Sequence, residues 1–320
     1  MQAKSTAAQR LLSLSEMSKG QLLLREIRKS RSIYAFVIPG FVFIMLFNYY
    51  PLYFLQIAFR NYRPTRALRL SEWVGLRYFE QLFTTAGFLR AFRNTLIISC
   101  YRMIAGFPIP IVLSLLLNEM SSKSFKRITQ TIIYLPHFIS WVVIASILVN
   151  MTSIQGGLFN EIRGSFGLEP RMFLGDKSLF RDLLVLSGIW KEAGWGTIIY
   201  LAAISRVNPE LYESATIDGA NRLQNVRYIT LPAISEVIAI LLILRIGALI
   251  SAGFEQILVL QNDYVLEVSD VLSTFVYRTG LLSRRYSYAA AAGLFRSVIS
   301  TTLVFTANII ARRMGKTGIV

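Results

Sequence analysis

Six stretches of this chain are apolar for about twenty residues or more, the length a helix needs to cross a hydrocarbon layer. They fall at about residues 33–59, 94–117, 128–150, 183–204, 233–253 and 289–311. The rest of the composition agrees. Apolar residues make up 54% of the 320, charged residues 16%, and mean hydropathy is +0.49. A soluble domain usually carries about a quarter charged residues. Too little polar surface remains to clothe a water-facing globule, so lipid has to cover part of it. The expected fold class is all-α and integral to a membrane.

Pro39 and Pro51 predict kinks in the first stretch, and the second contains Pro108 and Pro110. The first stretch is too long for a cleaved secretory signal and lacks a clean small-residue cleavage site. Residues 1–31 form a basic leader with leucines among its charges, a pattern that fits either an amphipathic segment lying on a membrane surface or a frayed tail. Residues 32–320 read as one transmembrane domain.

Six crossings place both termini on one side. Lys/Arg counting does not choose the side, because the leader and the loop after the first span each carry seven basic residues. The first segment and the tail residues Arg312, Arg313 and Lys316 favour both termini inside. That places 60–93, 151–182 and 254–288 outside, with 118–127 and 205–232 inside.

Several chemistries are excluded. With one cysteine, Cys100, and one histidine, His137, no internal disulfide and no His/Cys zinc site can form. Gly315-Lys316-Thr317 imitates the end of a phosphate-binding loop, but the first glycine of that motif would fall at Ile310 inside a span. We find no ATP site and no cofactor site in the sequence. The net charge of +16 in so apolar a chain points to anionic lipid headgroups, not to nucleic acid. His137, next to Pro136, reads as a packed or capping residue.

The inner loop 205–232 carries the most information. Asn208 is a good N-cap and Pro209 suits the first helical position, with Glu210 and Glu213 near the positive end of the helix that follows. Gly219 with Ala220 and Asn221 predicts a turn, and a second short helix over about 222–229 is expected to stop at Leu231-Pro232. Two short helices around a glycine form a rigid projection at the membrane face.

Glu213-Ser214-Ala215, then Gly219, Ile229 and Leu231-Pro232 at the observed spacings resemble the EAA loop of ATP-binding-cassette importer membrane subunits. Only Ser214 departs from that core, a small-for-small change. The segments LPHFISWVV, IWKEAGWGTIIYLAAI, LYESATIDGA and YSYAAAAGLFRSVIS resemble the maltose-type, saccharide-importing permeases, above all the polysaccharide-type members. The likeness runs from about residue 33 to 311. It implies a six-helix type I importer permease in a bacterial inner membrane, with loop 205–232 cytoplasmic. It implies a second permease subunit, two ATPase subunits inside that carry the ATP and Mg, and a solute-binding protein outside. On the resemblance, Glu210, Glu213, Ala215, Asp218, Gly219, Ala220, Ile229, Leu231 and Pro232 make the ATPase contact, and the chain does no covalent chemistry of its own.

Charges inside spans cost about 2.5–3.5 kcal/mol each on insertion scales, so they usually serve a function. The candidates are Arg102, Lys191, Glu192, Arg245 and Arg296. Trp190 and Trp195 offer faces suited to stacking on sugars, although aromatic belts at membrane interfaces explain some tryptophans equally well. We take Lys191, Glu192, Trp195, Tyr200, Arg245 and Arg296 as candidates for a solute pathway, with snorkelling or an internal ion pair as the alternative for each charge. Gly188, Gly194 and Gly196 predict close helix approach. The seven arginines of the first outer loop, against Glu72 and Glu80, suit an acidic binding protein, headgroups or a partner subunit's outer loops, and they tilt the solute toward an anionic saccharide such as a uronic-acid or alginate oligomer. An ion-driven secondary transporter would also use Lys191, Glu192 and Arg245. It would be expected to show two repeated halves, which the sequence lacks.

Overall fold

The computed structural model describes residues 30–315 and residue 318. The amphipathic segment expected over 1–31 therefore lies almost entirely outside the described residues. The described residues are helical, with a single isolated β-bridge between Arg60 and Trp73.

The chain divides after Gln56 into two units. The first holds most of helix α1, Arg31–Phe59. Pro39 lies within its regular part, which passes into a wider π turn at Met45–Tyr49 and a tighter 3-10 stretch at Tyr50–Phe59 containing Pro51. Proline removes one ladder hydrogen bond, and these changes of pitch absorb the defect. Phe36 is 87% exposed and the other large side chains from Ile33 to Leu55 are also exposed, which suits a helix covered by hydrocarbon.

The second unit contains the remaining helices: α2, Arg77–Thr84; α3, Ala86–Gly106; α4, Pro108–Glu119; α5, Lys123–Tyr134; α6, Trp141–Thr152; α7, Leu158–Ser165; and α8, Phe180–Ile204. They are followed by α9, Pro209–Ile217; α10, Arg222–Asn225; α11, Ser235–Gly247; α12, Phe254–Leu260; α13, Leu272–Tyr277; and α14, Tyr286–Arg313. Helix α8 runs through the middle, packing on α3, α4, α5 and the 3-10 turn Leu135–Phe138. One apolar core joins Phe88, Ala91, Leu272, Phe275 and Tyr288 of α3, α13 and α14; a second joins Ile98, Phe180, Leu184 and Ile257.

Four segments are long and apolar enough to cross a membrane: Arg31–Phe59, Ala86–Glu119, Ser235–Leu260 and Tyr286–Arg313. The third expected span is not continuous. Lys123–Phe138 and Trp141–Thr152 meet at a 100° bend, and the pair makes a fifth crossing if taken together. Pro136 denies an amide to the helix, which tightens into a 3-10 turn over Leu135–Phe138 with Leu135 still helical, and the chain breaks where Ile139 and Ser140 turn extended. Helix α8, at the position of the fourth expected span, is also long enough, but Lys191 and Glu192 near its centre lower its hydropathy. All six expected segments are thus largely helical, the third broken at its bend and the fifth at Ala252–Gly253.

Candidate functional site

Two breaks in otherwise helical spans shape the middle of the second unit. The first follows α11, where Ala252 and Gly253 adopt left-handed backbone at φ 44° and 70°. A carbonyl freed at such a break needs a new partner, because lipid supplies none. Arg102 of α3 supplies it, donating from Nη1 to the Ala252 carbonyl at 2.9 Å and from Nη2 to Oε1 of Gln256. Gln256 is 1% exposed and donates in turn to the Leu184 carbonyl and to Ser187 Oγ on α8, both at 2.8 Å. A Cβ at Gly253 would overlap the Arg102 guanidinium, so this position requires glycine on two counts.

The second break lies between α5 and α6. Lys191 of α8 is 6% exposed and directs its ammonium into that break, donating to the carbonyls of His137 at 2.6 Å and Ile139 at 2.7 Å, and at 3.5 Å to Pro136. The Trp141 ring lies 5.7 Å from Nζ. The next residue, Glu192, faces the other way and meets His137 Nδ1 at 3.2 Å. The His137 ring stacks on Trp195, with centroids 4.7 Å apart and planes 10° apart. Small residues allow this closeness. A Cβ at Gly194 would overlap the Ile133 carbonyl, and one at Gly196 would lie 2.9 Å from the ring of Pro110.

Between the breaks lies a cavity of about 540 Å³, walled by α3, α8, α11, α12 and the first residue of α6. Its charged lining is Arg102, Arg245 and Glu192; Trp141, Trp195 and Tyr200 add aromatic surface. Irregular backbone at membrane depth is tolerated where it lines a cavity, and Ala252 and Gly253 do so. Of the solute-pathway candidates, the structure brings Glu192, Trp195, Tyr200 and Arg245 together here. Lys191 is turned away into the α5–α6 break, because neighbours on a helix point about 100° apart. Arg296 sits on α14 and does not line the cavity. Sequence reasoning noted Arg102 as a charge in a span but did not tie it to Gln256. The signal available was Gly253, a glycine in an apolar run. His137 is packed, as expected.

The loop over 205–232 folds into a hairpin. Asn208 Oδ1 accepts from the Glu210 amide at 3.1 Å, and Pro209 is the first residue of α9. Gly219 turns the chain at φ +83°, and a Cβ placed there would meet nothing within 4 Å. Asn221 and Gln224 cap α10 reciprocally. The Tyr212 hydroxyl meets Thr230 Oγ1 at 2.9 Å, joining the two arms. The second arm does not end at Leu231-Pro232 as expected. It widens into a π turn over Val226–Thr230 and continues through Leu231–Ala233, ending at Ile234. Leu231 before Pro232 keeps helical backbone, and the wider π turn just ahead absorbs the hydrogen bond that the proline cannot make. Arg222 lies 3.9 Å from Glu119 at the end of α4, so the hairpin and the α4–α5 turn share one face of the molecule. Ile217 at 87%, Leu223 at 76% and Tyr228 at 68% exposure give the hairpin an apolar outer surface.

On the side bearing the 153–179 loop, Asn160 holds that loop together through the carbonyls of Thr152, Ser153 and Arg171 and the Arg171 amide. Hydrogen bonds from Ser178 and Arg171 draw the Asp176 carboxyl from the ordinary 3.8 down to about 2. Lys177 meets Glu267 at 2.5 Å and lowers that carboxyl as well. Arg60, of the arginine-rich loop, is engaged with its own neighbours, lying 5.4 Å from the Trp73 ring centroid and donating to the Ser71 carbonyl.

Comparison with known proteins places this geometry. The family described as "Binding-protein-dependent transport system inner membrane component" matches residues 106–316, which hold the cavity's α8 and α11 walls and the hairpin. The polygalacturonan/rhamnogalacturonan transport system permease protein YteP of Bacillus subtilis is 43% identical over 301 residues, 94% of each chain. Protein LplB of the same organism is 40% identical, over 94% of this chain and 95% of its own. A crystal structure of a bacterial ABC transporter that imports the acidic polysaccharide alginate contains a chain 41% identical to this one. The two superpose with a TM-score of 0.86, covering 92% of this chain and 99% of that one. The chain belongs to the family of binding-protein-dependent transport system inner membrane components.

Proposed function

We propose that this chain is the membrane-spanning, non-catalytic subunit of an ATP-driven importer of acidic oligosaccharides. The observation that carries the solute class is the charge state of the cavity. Glu192 is taken up by His137, and Arg102 by Ala252 and Gln256. Arg245, among the described residues, has neither a hydrogen bond nor an ion pair, and it lines the cavity from within an apolar helix. A guanidinium in such a place is costly unless an anion visits it, and its planar fork suits a carboxylate. The aromatic faces of Trp195, Trp141 and Tyr200 suit the apolar faces of sugar rings. A homologous importer carries alginate, an acidic polysaccharide, and another relative is named for polygalacturonan and rhamnogalacturonan.

In this reading, both termini and the hairpin lie on the cytoplasmic side. Two ATPase subunits holding ATP and Mg grip Glu210, Glu213, Ala215, Asp218, Gly219 and Ala220, with Ile229, Leu231 and Pro232 shaping the second arm. A second permease subunit completes the pathway, and a solute-binding protein delivers the saccharide from outside. A crystal structure of the alginate importer with an alginate-pentasaccharide-bound periplasmic protein supports that arrangement. ATP binding would draw the ATPases together, and the hairpin would carry that movement into α8 and α11, exposing the cavity outward.

The test is to purify the tagged chain gently from its native membrane, identify what co-purifies, and assay ATP hydrolysis with saccharide panels. An ATPase pair with hydrolysis stimulated by acidic oligosaccharides is expected. A partner-free protein driving uptake by an ion gradient would overturn the reading.

A further inference from the structure

Helix α5 has a role that the importer mechanism does not require. Its residues sort onto two opposite faces. Phe125, Ile128 and Ile132 follow one another at spacings of three and four and are 59%, 58% and 65% exposed, and Leu135 at 61% continues the stripe. Lys123, Lys126, Arg127 and Gln130 occupy the opposite face and line a hollow of about 380 Å³. Among the described residues none of these three cations has an ion pair. The nearest acid along the chain, Glu119, lies by Arg222.

Neither bulk water nor hydrocarbon suits both faces. Water would leave four large apolar side chains uncovered, and hydrocarbon would strand three charges at several kcal/mol each. Entry from the headgroup boundary satisfies both, because Lys123, Lys126 and Arg127 all lie in the first turns of α5, while Ile132 and Leu135 lie deeper. The 100° bend at Pro136–Ser140 lets α5 leave the direction of α6, and Lys191 fixes that bend on α8. We propose that α5 enters the membrane from the interface, with Ile128 and Ile132 in the acyl region and its first turns at headgroup depth, where Lys123, Lys126 and Arg127 bind anionic phospholipid headgroups. The charge of the face selects the lipid, because a zwitterionic headgroup brings an ammonium along with its phosphate. A protein docked on the basic face would leave the apolar stripe bare, so the lipid is preferred as occupant.

Native mass spectrometry of the full-length chain, with whatever proteins co-purify, tests this. Phosphatidylglycerol and phosphatidylcholine are titrated separately onto the wild type and onto a Lys123→Gln, Lys126→Gln, Arg127→Gln variant. Each basic side chain at an anionic surface contributes about fivefold in affinity. The variant is expected to lose phosphatidylglycerol adducts by more than about tenfold and to keep the weaker phosphatidylcholine adducts. Excess inorganic phosphate should not displace the lipid. Competition by phosphate would make the site a soluble-anion site and overturn the proposal. Equal phosphatidylglycerol binding by both proteins would do the same. So would loss of a co-purifying protein from the variant with lipid adducts unchanged, which would assign the basic face to that protein.

If the variant fails to fold, a fluorophore on Ile128→Cys in a Cys100→Ser background gives a second reading. Quenching by spin-labelled lipid and not by aqueous iodide is expected; protection from both would mean that protein covers the stripe.

Discussion

Lys191 donates from Nζ to the backbone carbonyl of His137 at 2.6 Å, at the point where the span formed by α5 and α6 breaks. The ammonium thereby satisfies the carbonyls of His137 and Ile139, which lose helical partners where the chain turns extended at Ile139 and Ser140; the Pro136 carbonyl, 3.5 Å from Nζ, also accepts from the Ile139 amide. The charge at the middle of α8 is therefore an anchor for a neighbouring bend, while Glu192 beside it faces the cavity. Replacing Lys191 with Met strands those carbonyls, each at about 1–3 kcal/mol. A lower unfolding temperature of the purified protein is expected, with the ranking of saccharides in the ATPase assay unchanged. A normal melting temperature with altered ranking would make Lys191 a solute contact.

The closeness of α8 to the α5–α6 break depends on Gly194. Gly194→Ala places a methyl on the Ile133 carbonyl and is expected to destabilise the fold by about 1–3 kcal/mol, the usual cost of overpacking. Gly293→Ala on α14 is the control, since a Cβ there meets nothing within 4 Å. Thermal unfolding in detergent should separate the two, and equal melting would show that α8 can shift freely.

Gly219 makes the opposite case. It has positive φ but open space around it, and aspartate tolerates the left-handed region better than most residues. Gly219→Asp should cost only about 1 kcal/mol in folding. It should leave the protein assembled, with ATP hydrolysis uncoupled from uptake. Normal uptake by this variant would remove the hairpin from the coupling path.

The loop held by Asp176 should respond to acid. Its carboxyl is drawn below its ordinary 3.8 to about 2, so the stabilisation is present above about pH 4 and fades as pH falls from there toward 2. Amide exchange across 158–178, corrected for intrinsic rates, should rise through that window in the wild type. Asp176→Asn should exchange fast throughout, and a flat wild-type profile would show that the loop does not need the carboxylate.

Much of this was legible from local chemistry. Asn208, Pro209 and Gly219 specify the first arm of the hairpin because capping and positive φ are properties of single residues. The glycines of α8 announced close packing for the same reason. Direction was harder to read. Nothing in the order Lys191-Glu192 says which one faces the cavity, because that depends on where the carbonyls of Pro136, His137 and Ile139 lie. The break at Ala252–Gly253 was hidden by its apolar surroundings. Only the tertiary contact between Arg102 and Gln256 reveals that a charge in the second span closes a gap in the fifth. Arg296 was grouped with Arg245 because both lie in spans, and the fold then separates them.

The most direct test of the account is uptake by proteoliposomes containing the complete transporter, with uronate oligosaccharides compared with the same oligosaccharides after chemical reduction of their carboxyl groups. The account predicts uptake of the acidic form, weak uptake of the neutral form, and a loss of about tenfold or more for the acidic form on Arg245→Gln, the value of one charge-assisted hydrogen bond. Equal uptake of both forms, with Arg245→Gln indistinguishable from wild type, would contradict it.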